Sequence, residues 1–340
     1  MTIAPRAAAI VAGWVAACGT PTQGPAAADS VLVVIPRGAS FEAAVDSLAA
    51  RGVVRHPGPF RLFARLRGLP GSLKSGVYAF PPNEEWGRVV ATLARGRGAE
   101  VRFTVPEGLM LVEVAELARR QLGLAPESVL AAARRPERLA ELGLATALPA
   151  PTSVEGYLYP STYLLPVGID ATDLVRVMTQ TFTGHWSPEW QARLDTLGMT
   201  RHQVVTLASI IQSEMRYQPD APFISAVYHN RGRRRMPLQA DPTGMYALQQ
   251  RVSRVLERHL QVRSPYNTYL HRGLPPGPIS QPGVRALEAA LYPAPVPFLY
   301  FVARPDGKHV FSVTYAEHQA AIRVIRRGQS AVPAPRPRGR

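Results

Sequence analysis

One carboxylate in this chain stands where a helix ought to be apolar. In residues 204–248, VVTLASIIQSEMRYQPDAPFISAVYHNRGRRRMPLQADPTGMYAL, the apolar residues Leu207, Ala208, Ile210, Ile211 and Met215 recur at helical spacing. Glu214 follows Ile211, Ile210 and Leu207 by three, four and seven positions, so it belongs on the edge of the apolar face. Thr206, Ser209, Gln212 and Ser213 are expected on the opposite side, where a solvated acid would ordinarily sit. Low dielectric disfavours a charged carboxyl and can hold its pKa at roughly 6 to 7, which is the condition a general acid needs. The plainer reading is a last-turn residue that reaches water or pairs with Arg216 or Arg235.

Other chemistries lack their residues. None of the eight histidines has metal-ligand spacing, and His309 with His318 is a loose pair. Neither a glycine-rich phosphate loop nor a Gly-x-Ser-x-Gly elbow is present, and no cofactor is expected. What remains is acid–base work by a carboxylate among Asn, Gln, Tyr and Thr. That set suits carbohydrate cleavage, in which amides and aromatic rings hold hydroxyl and N-acetyl groups. The net charge of +15 favours anionic partners such as a phospholipid surface or an acidic polymer. Nucleic acid is not expected, because no zinc-finger, helix-turn-helix or RNA-recognition signature accompanies the charge.

The elements that must position these groups follow from patterning. At 340 residues the chain has room for two domains. Residues 1–18 join a short basic start to the apolar run AAAIVAGWVAA and end in Val-Ala-Ala-Cys18, too short to span a bilayer comfortably. Three readings stand for it: a lipoprotein box with Cys18 as the lipidated residue, an ordinary export signal, or a short uncleaved membrane anchor. Each puts the bulk of the chain outside the cytoplasm, in the cell envelope. Residues 19–30 read as a flexible tether. Residues 31–98 alternate strand, helix, helix, strand, helix, the order of a small module that is either LysM-like and glycan-binding or purely structural.

Residues 99–328 are expected to form the larger, mixed α+β catalytic domain, and 329–340, rich in Pro and Arg, a disordered basic tail. Glu155 heads a nine-residue stretch with Tyr157, Tyr159 and Tyr163, which reads either as a sugar-binding surface or as a half-buried strand or loop. After the Glu214 helix, Asp220 is expected to cap a second helix that carries Asn230 inward. Gln239 lies in a loop leading to Asp241-Pro242-Thr243, an N-cap pattern that can also line a cleft. Residues 264–279, with Tyr266 and Asn267, form a long irregular connection of the kind that tends to be functional. A hairpin turning at Pro305-Asp306-Gly307 and a final helix opened by Thr314 and Glu317 complete the domain.

The runs Leu207-Ala-Ser-Ile-Ile-Gln-Ser-Glu214, Ser225-Ala-Val-Tyr-His-Asn230-Arg231, Met236-Pro-Leu-Gln-Ala-Asp241-Pro-Thr243 with Tyr246, Ser264-Pro-Tyr-Asn-Thr-Tyr269 and Gly273-Leu-Pro-Pro-Gly-Pro-Ile279 closely resemble the endolytic murein transglycosylases. The resemblance covers roughly residues 155–318. It implies an enzyme at the outer face of the cytoplasmic membrane that cuts nascent peptidoglycan strands internally, between N-acetylmuramic acid and N-acetylglucosamine, without water and leaving a 1,6-anhydro end. The family's catalytic glutamate matches Glu214. Asn230, Gln239, Asp241, Thr243, Tyr246, Tyr266, Asn267 and Glu155 are the expected substrate-binding residues, no metal is expected, and cell-wall synthases are the partners to look for. Gln212 stands where the family commonly has a first glutamate, and the short segment ending at Cys18 replaces a full membrane-spanning helix. Rival readings are a hydrolytic muramidase using the same acid, a non-catalytic glycan-binding scaffold and, from charge alone, a nucleic-acid binder.

Overall fold

The computed structural model describes residues 30–36, 38–96, 98–144, 151–248 and 261–330. The segment ending at Cys18, expected to be an export signal, lipoprotein box or anchor, the expected tether before Ser30 and the expected tail beyond Ser330 lie outside the described residues. The chain divides into two units, Met1–Ala99 and Glu100–Arg340.

In the first unit the elements run β1 (Val31–Ile35), α1 (Phe41–Ala50), α2 (Pro57–Leu66), α3 (Leu69–Ser72), β2 (Gly76–Phe80) and α4 (Trp86–Arg95). The order is the expected one, with the short α3 added. Ser40 caps α1 by accepting from the Ala43 amide at 3.2 Å, which turns Ala44, Val45 and Leu48 inward. β1 and β2 pair antiparallel with Val33 opposite Tyr78, so Val33, Ile35, Tyr78 and Phe80 point to one core. Gly96 ends α4 in the left-handed conformation that a helix stop favours.

The second unit begins with β3 (Glu100–Thr104), α5 (Leu111–Leu122), α6 (Pro126–Ala133) and α7 (Pro136–Glu141). β4 (Thr162–Pro166) returns to pair antiparallel with β3, Phe103 opposite Tyr163. Four helices follow: α8 (Ala171–His185), α9 (Pro188–Leu197), α10 (Arg201–Glu214) and α11 (Ala221–Arg233). α12 (Asp241–Ala247), α13 (Val284–Leu291), the hairpin β5 (Tyr300–Ala303) and β6 (His309–Ser312), and α14 (Tyr315–Ser330) complete it. Helices with small antiparallel ladders make the fold α+β, as the patterning predicts. α9, capped by Ser187 accepting from Trp190, is absent from the sequence reading because its apolar residues are few. α14 runs to Ser330, so it takes in the first two residues of the expected tail.

The core of this unit is organised about α10. Thr200 and Gln203 form a reciprocal capping box at its start. Val204 to Ile211 are buried without a break, Thr206 and Ser209 included. The side expected to face water is therefore buried at Thr206 and Ser209 and reaches solvent only at its end, where Gln212 is half-buried and Ser213 exposed. Ser209 Oγ accepts from the Ile279 amide at 2.9 Å, Gln212 Oε1 accepts from the Gly283 amide at 3.0 Å, and Ser213 Oγ lies 3.3 Å from Ser280 Oγ. Backbone groups of an irregular segment need partners when buried, and this polar stripe supplies them.

The tyrosines after Glu155 are core residues: Tyr157, Tyr159 and Tyr163 are all buried, which removes them as a sugar surface. Asp220 stands at the N-cap position of α11, but its side chain makes no capping bond. Its carboxylate accepts from the His309 amide at 2.8 Å and lies 3.0 Å from His309 Nδ1, tying the start of α11 to β6. Thr314 and Glu317 do form the expected capping box.

Candidate active site

Glu214 is the last residue of α10 and lines a groove of about 840 Å³. One wall comes from the loop before α5, with Glu107, Gly108 and Met110. Others come from α12 with Asp241 and Tyr246, the 279–280 segment, and the β5–β6 hairpin with α14. The α5 loop is held by reciprocal bonds: the Gly108 amide donates to Gln281 O at 2.7 Å and the Gln281 amide donates to Leu109 O at 2.8 Å.

Burial pushes the Glu214 carboxyl up to about 7, and the negative charge of Asp241 pushes in the same direction. Tyr228 Oη donates to Glu214 Oε1 at 3.1 Å and, with the more distant Arg216 and Arg231, pulls the other way. The net effect is upward, the direction that suits a general acid. Arg231 is itself fixed, donating from Nε to Leu299 O at 2.7 Å and from Nη1 to Leu238 O at 2.6 Å.

Of the residues predicted from sequence, Glu214, Gln239, Asp241 and Tyr246 line the groove together. Gln239 holds a left-handed backbone, φ 49°, rare for a residue with a side chain and common where a site imposes the geometry. Asp241 is the first residue of α12, not its cap; its carboxylate accepts from Tyr269 Oη. The other five are not among the groove-lining residues. Asn230 donates from Nδ2 to Val296 O and Phe298 O, both at 2.8 Å, and so holds the segment that leads into β5. Thr243 Oγ1 donates to Ala240 O at 2.7 Å and lies 2.9 Å from Thr268 Oγ1. Asn267 is fully buried and donates to Val262 O at 2.8 Å, shaping its own loop.

Glu155 and Tyr266 stand with Tyr246. The Glu155 carboxyl accepts from the Leu111 amide at 2.9 and 3.0 Å, from Gln281 Nε2, and from Tyr246 Oη at 3.3 Å. Burial raises it to about 8 despite those donors. The Tyr266 ring lies 4.8 Å from that of Tyr246. These contacts set Tyr246 in the wall, and neither Glu155 nor Tyr266 itself lines the groove.

Sequence reasoning named neither Tyr228 nor Tyr269 as site residues. Tyr228 and Arg231 are spaced as helix neighbours within a run of buried residues, and an arginine and a tyrosine together on a buried face were the available signal. Tyr269 had none beyond its motif, since its bond to Asp241 joins residues 28 apart in the chain. Among the described residues no group of His, Cys, Asp and Glu could hold a metal ion.

Fold and groove together define an α+β protein with a raised carboxyl, Glu214, in an open groove. The chain belongs to the YceG-like family, which residues 33–324 match. It is similar to the endolytic murein transglycosylase of Bacillus subtilis (strain 168), 30% identical over 305 residues that cover 86% of this chain and 84% of that one. It is 27% identical over 319 residues to the endolytic murein transglycosylase of Streptococcus pneumoniae serotype 2 (strain D39 / NCTC 7466), of which the match covers 58%. A crystal structure of a YceG-like protein from Listeria monocytogenes has the same fold, with a TM-score of 0.60 and 31% identity over 86% of this chain and 98% of that one.

Proposed function

We propose that this protein is a peptidoglycan lytic transglycosylase that cuts glycan strands internally, at the β-1,4 bond between N-acetylmuramic acid and N-acetylglucosamine. The protonatable Glu214 in the groove is the observation that carries the reading. Membership of the YceG-like family and the name shared by the relatives in two bacteria support the substrate.

The reaction needs one acid. Protonated Glu214 gives its proton to the bridging oxygen as the bond from that oxygen to C1 of the muramyl ring breaks, and N-acetylglucosamine leaves with a free 4-hydroxyl. The Glu214 carboxylate then accepts the proton of the muramyl 6-hydroxyl as O6 bonds to C1. Atoms balance without water, the acid is regenerated, and the product carries a 1,6-anhydro ring. Tyr228 Oη steadies the carboxylate stage, and Gln239, Asp241 and Tyr246 offer polar contacts to the sugars.

A hydrolytic muramidase is the second reading, because Asp241 is another carboxylate in the same groove and could hold a water. Mass spectrometry of digested sacculi separates the two: anhydro ends support the transglycosylase, and reducing ends alone refute it. Glu214→Gln is expected to lower release of products by about 10²- to 10⁴-fold. A variant as active as wild type would instead favour a non-catalytic scaffold. Anchoring to the membrane through the segment ending at Cys18, action at the cell envelope, glycan binding by the first unit and pairing with a cell-wall synthase belong to the same proposal. No helix among the described residues is long and apolar enough to cross a membrane.

A further inference from the structure

The groove has an aromatic wall that the acid–base chemistry does not use. Tyr300 on β5 and Tyr315 and His318 on α14 all line it. The Tyr300 ring is 5.8 Å from that of Tyr315, and 5.3 Å from that of His318 with the two planes 22° apart. On another side the Arg231 guanidinium lies 5.3 Å from the Tyr300 centroid, and Arg231 is pinned by two backbone carbonyls. Tyr300 is therefore backed by an anchored cation, whose charge also acts on Glu214.

Two features do not fit rings that merely pack a helix on a hairpin. Tyr315 keeps 61% of its surface exposed while facing the groove. Among the described residues His318 Nδ1 is buried with no hydrogen-bond partner, an arrangement that native interiors rarely leave unanswered. Burial and the neighbouring Arg231 lower the His318 pKa, so the imidazole is neutral and can both donate and accept.

We propose that Tyr315, backed by Tyr300 and His318, forms a saccharide subsite that stacks on a pyranose ring of the glycan strand away from the bond being cut. The inference rests on the transglycosylase reading for the nature of the ligand. The apolar C–H face of a pyranose suits an aromatic ring, and the imidazole and phenol edges suit its hydroxyl and N-acetyl groups. The three residues come from β5 and α14, whereas Glu214 ends α10, and all four line one groove. On this proposal the subsite and the acid engage different sugars of one strand. A strand too short to reach both gives up the stacking. Preference for internal cuts in long strands then follows from binding energy gathered at a distance from the chemistry.

The test uses the full chain carrying Glu214→Gln, so that strands bind without being cut, and uncrosslinked tetrasaccharide and dodecasaccharide glycans as probes in calorimetry. Tyr315→Ala is expected to weaken dodecasaccharide binding about three- to tenfold and to shrink the long-to-short affinity ratio by the same factor. Tyr315→Phe keeps the ring and is expected to keep most of the ratio. The exposure of Tyr315 makes a folding failure an improbable cause of the change, and Tyr300→Leu provides a second variant on another element. A wild-type ratio in both Tyr315→Ala and Tyr300→Leu overturns the subsite. Absence of anhydro ends from wild-type digests defeats the functional reading alone, because the affinity ratio is read without cleavage.

Discussion

At the scale of the residue, Glu214 is tuned by neighbours of opposite effect. Asp241 favours its protonated form by repulsion, and Tyr228 favours its carboxylate by donating a hydrogen bond. A general acid must be protonated to act, so kcat/KM is expected to fall as pH rises above about 7. Removing the repulsion in Asp241→Asn lowers the Glu214 pKa and moves that falling limb to lower pH. Removing the donor in Tyr228→Phe raises the pKa and moves the limb to higher pH. The pH profile of cleavage, measured on the two variants, checks both signs; shifts in the same direction would refute this account of the tuning.

At the scale of the element, the groove depends on an irregular segment clamped to a regular one. The polar stripe of α10 takes hold of residues 279–283, and His202 Nε2 lies 3.0 Å from Pro276 O. Gly156 sits beneath this segment with φ 83°, and a Cβ there would lie 2.4 Å from Pro278 Cβ and 3.1 Å from Val205 Cγ1. Both backbone conformation and space demand glycine. Gly156→Ala is expected to cost about 2–4 kcal/mol, from the left-handed penalty and overpacking together, with a matching drop in the urea midpoint. Activity should fall further than stability alone accounts for, since Ile279 and Ser280 line the groove.

The stripe also shows where reading by element falls short. Helical spacing correctly put Glu214 at the edge of an apolar face, and it identified Thr206, Ser209, Gln212 and Ser213 as a polar side. It could not say that Ser209 and Gln212 on this side bond to amides some 70 residues downstream, because the partners have no periodicity of their own. Asp220 and Asp241 looked like caps on the same local grounds. Each instead spends its carboxylate on a distant residue, His309 and Tyr269.

At the scale of the whole molecule, each unit has its own hydrophobic core, and the larger one encloses two carboxyls raised well above the ordinary 4.5: Glu155 to about 8 and Glu214 to about 7. A carboxyl whose folded pKa exceeds its unfolded value makes the folded state bind more protons. Stability is then fully present below about 4.5 and is lost as pH rises through 7 and 8. Denaturant unfolding between pH 5 and 8 is expected to show this decline, and Glu155→Gln, which cannot ionise, is expected to flatten it. A slope unaltered by the substitution would mean that Glu155 is charged in the folded protein.

Read without coordinates, the chain determines much that depends on neighbours in sequence: most helices, the capping box of the last one, the hairpin at Asp306-Gly307, the α+β class and the one acid out of pattern. Capping, turn chemistry and periodic burial are local, so a few adjacent residues carry them. Tertiary structure alone decided which polar residues face the groove and which hold its walls. Asn230, Asn267 and Thr243 have side chains as suited to sugar as those of Gln239 and Tyr246, yet they bond to backbone and threonine instead. A pKa near 7 and an aromatic wall likewise arise only when α10, α11, α12, β5 and α14 converge, because burial and charge act through space and not along the chain.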